Sequence, residues 1–190
     1  ESAERPLVLV GKGMAWAHAE DEVRAFIDRT QLPFVRSPMG KGVVPDDHPL
    51  AASAARTLAL QQADVVFLMG ARFNWIFHFG LPPRFSPDVK VIQLDISPEE
   101  IGHNKPSEVA LVGDGKAIMS QMNKALEGRQ WFYPKDTPWR TALGDKIAAN
   151  VETIKSQVND DTAPAGYYRA LRDVAAWMPE NAILSAEGAG

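Results

Sequence analysis

The sequence predicts an α/β fold: a Rossmann-like parallel sheet with helices on both faces, followed by a helical linker region. Three observations predict it. Strand-like apolar runs alternate with helical patterns from residue 7 to residue 126, the signature of successive βαβ units. Val65–Met69 is apolar at every position, as strands covered on both faces are. The first strand-like run, residues 7–10, leads into Gly11-Lys12-Gly13 and then a helical pattern. A strand, glycine turn and helix in that order is the arrangement that seats phosphates on a helix N-terminus.

Taken in order, strand 7–10 is followed by a helix expected from about residue 17 to 30, on the spacing of Val23, Phe26 and Ile27. A strand is expected at 33–36. It does not end on an acid, and Trp16 stands where the dinucleotide fingerprint has a third glycine, so a standard NAD site is not expected. Residues 37–49 (SPMGKGVVPDDHP) are punctuated by glycine and proline and read as a loop. Its Lys41 is either a phosphate contact or a solvated side chain. A helix at 51–61 carries Arg56 and Thr57.

After Val65–Met69 come Gly70-Ala71 and then Arg72, Asn74, Trp75 and His78, interleaved with Phe73, Ile76, Phe77 and Phe79. Ligands of open parallel sheets bind beyond the carboxyl ends of strands, so this stretch is the first candidate for a site. The next strand, 89–94, ends on Asp95-Ile96, where an acid suits a ribose diol. Ser97-Pro98-Glu99-Glu100 reads as a helix start: cap, proline, then acids in the first turn. Val109–Val112 is a last short strand, and Gly113-Asp114-Gly115 opens a helix to about residue 126.

Residues 127–138 read as a linker laid over a surface, with Trp131, Phe132, Tyr133 and Trp139 as apolar surface awaiting a neighbouring domain. Helices at 139–157 and 166–178 precede a strand-like run at 182–185 and then Glu187-Gly188-Ala189-Gly190. This reads as the start of a second domain whose remainder lies outside the chain.

Composition narrows the function. A net charge of −4 without any Lys/Arg-rich run argues against a nucleic-acid partner. No stretch approaches the roughly 20 apolar residues that a membrane helix needs. The absence of cysteine excludes disulfides and Cys-ligated zinc and fits an intracellular protein. His18, His48, His78 and His103 show no metal-ligand spacing, and no Gly-x-Ser-x-Gly occurs. Gly113-Asp114-Gly115 reads as a helix start rather than a magnesium motif, since no Asn stands in the window 142–146. No catalytic residue and no metal ligand is therefore assigned within the chain. What converges is Gly11-Lys12-Gly13, Arg72 and Asp95, all at carboxyl ends of strands. Backbone N–H groups and an arginine suit phosphates, and the aspartate suits ribose. The set describes an adenine-nucleotide or coenzyme site, or else only turn and cap residues.

The stretches GKGMAWAHAE, LPFVRSPMGKGVVPDDHPL, GARFNWIFHFGLPPRFSPDVKVIQLDI and SAEGA resemble the thiamine-diphosphate-dependent 2-hydroxyacyl-CoA lyases and their relatives, the oxalyl-CoA decarboxylases. The resemblance covers essentially the whole chain and leans to the lyase branch. It implies a central Rossmann-like domain at 1–128, an interdomain linker and helix at 129–164, and the first helix and strand of a diphosphate-binding domain at 165–190. It also implies thiamine diphosphate and Mg2+ in the full-length enzyme, held by residues outside this chain, so the fragment alone is expected to be inactive. The positions matching the family's ADP site are Gly11, Lys12, Gly13, Arg72, Asp95 and Ile96. Arg56 and Thr57 match the helix region that meets CoA.

The family motif Glu-Gly-Ala-Asn, whose Asn the resemblance assigns to the CoA moiety, has Gly190 at that position here. The implied reaction cleaves a C–C bond of a 2-hydroxyacyl-CoA to an aldehyde or ketone plus formyl-CoA. The implied partners are the acyl-CoA substrate, the remaining domains of the same polypeptide and further copies in a dimer or tetramer. Nucleic acid and membrane are not among them. The implied location is intracellular, cytoplasmic if bacterial and peroxisomal if eukaryotic. The rivals are oxalyl-CoA decarboxylase, a non-catalytic nucleotide-binding or assembly module, and a flavin or NAD oxidoreductase, which the incomplete fingerprint disfavours.

Overall fold

The computed structural model describes residues 2–185, in two compact units, Glu1–Ile147 and Ala148–Gly190. The SAEGA motif beyond Ser185 lies outside the described residues.

The first unit is built on one sheet of β1 (Pro6–Val10), β2 (Phe34–Arg36), β3 (Val65–Met69), β4 (Lys90–Asp95) and β5 (Val109–Val112). All pairs are parallel and the order is β2-β1-β3-β4-β5. The α/β expectation holds. The reason lies in β1 and β3, whose apolar residues are buried on both sides of the pleat, a condition met only when both faces are covered. Helices α2 (Glu20–Thr30) and α4 (Gly115–Ala125) pack on each other, and Phe26 of α2 meets Phe67 of β3 edge to face at 5.8 Å. α3 (Arg56–Gln62) leads into β3.

Four local expectations are corrected. The helix expected from residue 17 is two helices: α1 (Lys12–Trp16), then a break, then α2 from Glu20. His18 sits in the break with φ 49°, so Gly11-Lys12-Gly13 is the opening of a one-turn helix rather than a free turn. Ser97-Pro98-Glu99-Glu100 starts no α-helix. It makes a single 3-10 turn, Pro98–Glu100, and the Ser97 side chain caps nothing. Tyr133 and Trp139 are not surface awaiting a partner. Both are buried, with the Tyr133 hydroxyl donating to Glu4 O at 2.6 Å and the Trp139 indole N–H to Pro6 O at 2.9 Å. Residues 182–185 form no strand.

The long helix α5 (Pro138–Val158) begins in the first unit, where Trp139 and Leu143 are buried. In the second unit, α6 (Tyr167–Trp177) has no buried residue. Its Arg169 and Arg172 reach Asp161, and Arg172 also donates to Val158 O at 3.0 Å. Among the described residues no helix is long and apolar enough to cross a membrane.

Candidate nucleotide site

Strand order places the site. Chain connections leave β1 toward β2 on one side and arrive at β3 on the other, so the sheet's switch point lies between β1 and β3, where open parallel sheets open a crevice. The two loops that meet there are Gly11-Lys12-Gly13 and Gly70-Ala71-Arg72. They meet backbone to backbone. Gly11 N–H donates to Met69 O at 2.8 Å, and Gly13 N–H to Gly70 O at 2.9 Å. A Cβ on Gly11 would stand 2.3 Å from Gly70 O, and one on Gly13 2.7 Å from Gly70 Cα. Glycine is required at both positions because main chain occupies the space a side chain would take.

Above this bed lies a cavity of about 430 Å³, a size that suits a small organic ligand. Lys12, Gly13, Arg72, Asp95 and Ile96 all line it, as does Asn74. Of the ADP-type residues, Gly11 is the exception: it lies in the bed rather than in the wall. Since the Gly11 and Gly13 N–H groups already serve the sheet, the cations available to a phosphate are Lys12 and Arg72. Arg72 Nε lies 3.2 Å from Glu100 Oε1 at the rim. Asp95, the last residue of β4, is 7% exposed. Its Oδ1 accepts from the Ser97 N–H at 3.0 Å, and its other oxygen has no hydrogen-bond partner among the described residues. That oxygen is the acceptor available to a ligand. Ile96 and Trp16 add exposed apolar surface beside it, at 69% and 77% exposure, of the kind a planar base stacks against.

Arg56 and Thr57 do not line this cavity. The Arg56 guanidinium lies over the Phe77 ring at 5.4 Å and donates to Ile76 O. Its other terminal nitrogen is 3.5 Å from His78 Nε2. Phe77 itself lines the cavity, so the ring that Arg56 covers is part of the cavity wall. Burial, then the charges of Arg56 and Arg84, hold His78 below its ordinary pKa. His78 and Phe79 are both left-handed, at φ 48° and 56°, which for non-glycine residues is a strained pairing. Lys41, a sequence candidate for phosphate, instead pairs with Asp46 at 3.2 Å. Burial pushes the Asp46 carboxyl up, but bonds from Arg36 and Lys41 outweigh it and hold the group below the usual carboxylate range.

Ser37 and Met39 also line the cavity and were missed in the sequence. Their signal was position: they follow β2, the carboxyl-end neighbour of the β1 loop. No group of His, Cys, Asp or Glu among the described residues is arranged to hold a metal ion. Asp114 Oδ1 accepts from Ala117 N–H at 2.9 Å and caps α4, so Gly113-Asp114-Gly115 is a helix start.

Comparison with known proteins follows the same lines. Residues 1–122 match the family model described as thiamine pyrophosphate enzyme, central domain. The chain is 44% identical over 188 residues to 2-hydroxyacyl-CoA lyase 1 of Homo sapiens, covering 99% of this chain and 32% of the human protein. It is 45% identical over 170 residues to the 2-hydroxyacyl-CoA lyase of Oryza sativa subsp. japonica, covering 90% of this chain and 29% of that one. The oxalyl-CoA decarboxylase of Escherichia coli (strain K12) is 40% identical over 179 residues, covering 94% and 31%. The chain thus spans about a third of the length of these relatives, 32% of the human one.

Proposed function

The chain belongs to the thiamine pyrophosphate enzymes, as a central domain, and from that premise we propose that it is the nucleotide- and CoA-binding piece of a 2-hydroxyacyl-CoA lyase. The observation that carries the reading is the convergence of Lys12, Gly13, Arg72, Asp95 and Ile96 on one cavity at the switch point of the sheet. The human and rice lyases, at 44% and 45% identity against 40% for the decarboxylase, support the lyase branch.

Each residue has a distinct task in this reading. Lys12 and Arg72 bind a diphosphate, the first as a point charge and the second as a planar fork. The open oxygen of Asp95 accepts from ribose hydroxyls. Ile96 packs on the base. Arg56, whose guanidinium lies over the Phe77 ring, and Thr57, the next residue of α3, are proposed to meet the CoA moiety. The division into a central domain at 1–128, a linker and helix at 129–164 and the start of a diphosphate-binding domain at 165–190 belongs to the same proposal. So do an intracellular location, cytoplasmic in a bacterium and peroxisomal in a eukaryote, and assembly of the whole enzyme as a dimer or tetramer.

Among the described residues no group of His, Cys, Asp or Glu is arranged to hold the cofactor's magnesium. Asp114, the sole acid of the Gly-Asp-Gly triplet, is engaged as a helix cap. In the whole enzyme the cofactor would supply the electron sink for the C–C cleavage. Its ligands are assigned to residues outside this chain, and this chain's own contribution is to hold and orient the coenzyme end of the substrate.

The test is a calorimetric titration of ADP into wild type, Arg72→Ala and Asp95→Ala. Wild type is expected to bind. Asp95→Ala is expected to weaken binding roughly ten- to hundredfold, the scale of a hydrogen bond to a charged group. Wild-type affinity unchanged by both substitutions would move the site elsewhere.

A further inference from the structure

We infer that Glu100 is a positioning residue for the nucleotide site: it grips the Nε edge of Arg72 and thereby presents the two terminal nitrogens of the guanidinium to the cavity. The inference rests on the nucleotide reading above. Arg72 is about half exposed, with four rotatable bonds, and in the described structure its one ion pair is Nε to Glu100 Oε1 at 3.2 Å. The terminal nitrogens have no partner among the described residues. They form the fork that binds a diphosphate through two parallel bonds.

Glu100 is itself held in place from below. Gln93 of β4 is 1% exposed, a buried amide that must satisfy its donors and acceptor within the protein. It does so entirely on the rim loop. Its Nε2 donates to Glu100 O at 2.8 Å, and its Oε1 accepts from Gly102 N–H at 2.9 Å and from the Ser107 hydroxyl at 2.8 Å. Asn104 adds a bond from its amide nitrogen to Phe73 O at 2.9 Å, tying the rim to the segment that carries Arg72. The path runs from a buried strand amide, through the Glu100 backbone, to the Arg72 side chain. A pair this exposed contributes little to stability. Its effect is on where Arg72 rests, since a side chain already held loses less freedom when a ligand engages it.

The test titrates ADP and adenosine into wild type, Glu100→Ala and Glu100→Gln. Adenosine has no phosphate and does not engage Arg72. Glu100→Ala is expected to weaken ADP about two- to tenfold, the scale of one immobilised side chain, and to leave adenosine unchanged. Glu100→Gln keeps the length of the side chain but not its charge and is expected to weaken ADP as Glu100→Ala does, because the contact with Nε is an ion pair. Equal or tighter ADP binding by Glu100→Ala would make Glu100 a competitor for Arg72, not its anchor, and would overturn the inference. So would an equal loss for adenosine, which would mark a general disturbance of the cavity. Absence of ADP binding by wild type would instead bring down the nucleotide reading itself.

Discussion

Leu68 and Val174 are both apolar residues in regular secondary structure, yet Leu68 is 0% exposed and Val174 is 58% exposed. The first lies in β3, in the unit that ends at Ile147. The second lies in α6, in the unit that starts at Ala148. Among residues 148–185 none is buried, although Tyr167, Leu171, Val174 and Trp177 recur at helical spacing along α6. The contrast separates two things that an apolar pattern encodes. Periodicity specifies the local element, and burial needs a surface to pack against. β3 has that surface on both faces. α6 is held within its own unit by charged pairs of Arg169 and Arg172 with Asp161 and Asp173, which water screens.

The largest effect should come from breaking the buried side of this contrast. Leu68→Ala is expected to cost about 3 kcal/mol, the transfer loss plus a cavity, and Val174→Ala less than about 0.5 kcal/mol. Urea denaturation of both variants checks it, and equal losses would mean that the second unit has a core of its own.

A smaller effect marks the boundary between the regions. Trp139→Phe removes the indole N–H bond to Pro6 O and is expected to cost about 1 kcal/mol. Native-state hydrogen exchange should accordingly group the amides around Trp139 with the sheet, and those of α6 with the fast-exchanging segments. Fast exchange at Trp139 would return it to the surface that its sequence suggested.

The smallest effect is electrostatic. His78 titrates below its ordinary value of 6.5, so between the two pH values the folded state binds fewer protons than the unfolded one. Its contribution is complete above pH 6.5 and is lost as pH falls through the folded value. Arg84→Ala should raise the His78 pKa and shrink that loss, as read from the ring-proton shifts. An unmoved pKa would leave burial and Arg56 as its causes.

The elements visible in the sequence were those whose signal is local. The run Val65–Met69 and the strand Val109–Val112 were placed as they stand, because continuous apolar residues bounded by glycine need no knowledge of the rest of the chain. Asp95 and Arg72 were legible as residues at the carboxyl edge of the sheet for the same reason, since each ends or follows a strand, and both line the cavity there. What was not legible depends on neighbours. Nothing in the sequence marks the break before α2, whose cap is Ala19 with no capping side chain. Ser97-Pro98-Glu99-Glu100 carries good helix-start residues, yet Gln93 draws Glu100 O and Gly102 N–H into a loop, and Gly102 and Asn104 turn left-handed. Tyr133 and Trp139 look like interface aromatics until Glu4 O and Pro6 O are known to await them. Ser37 and Met39 joined the site through strand order, which no single stretch encodes.

The glycine bed also limits how this sequence is free to drift. A methyl group on Gly11 or Gly13 meets main-chain atoms of Gly70, and a methyl on Gly70 meets the Gly13 Cα at 2.8 Å. Main chain cannot be trimmed by a second mutation, so no compensating change opens a route and each of these positions is a dead end for substitution. Gly115 differs, since its added Cβ meets chiefly the Met14 side chain, with Cε at 2.4 Å. A smaller residue at 14 makes alanine at 115 acceptable, provided the change at 14 comes first. Within one layer of backbone, some glycines are therefore permanent and others wait only for the right order of events.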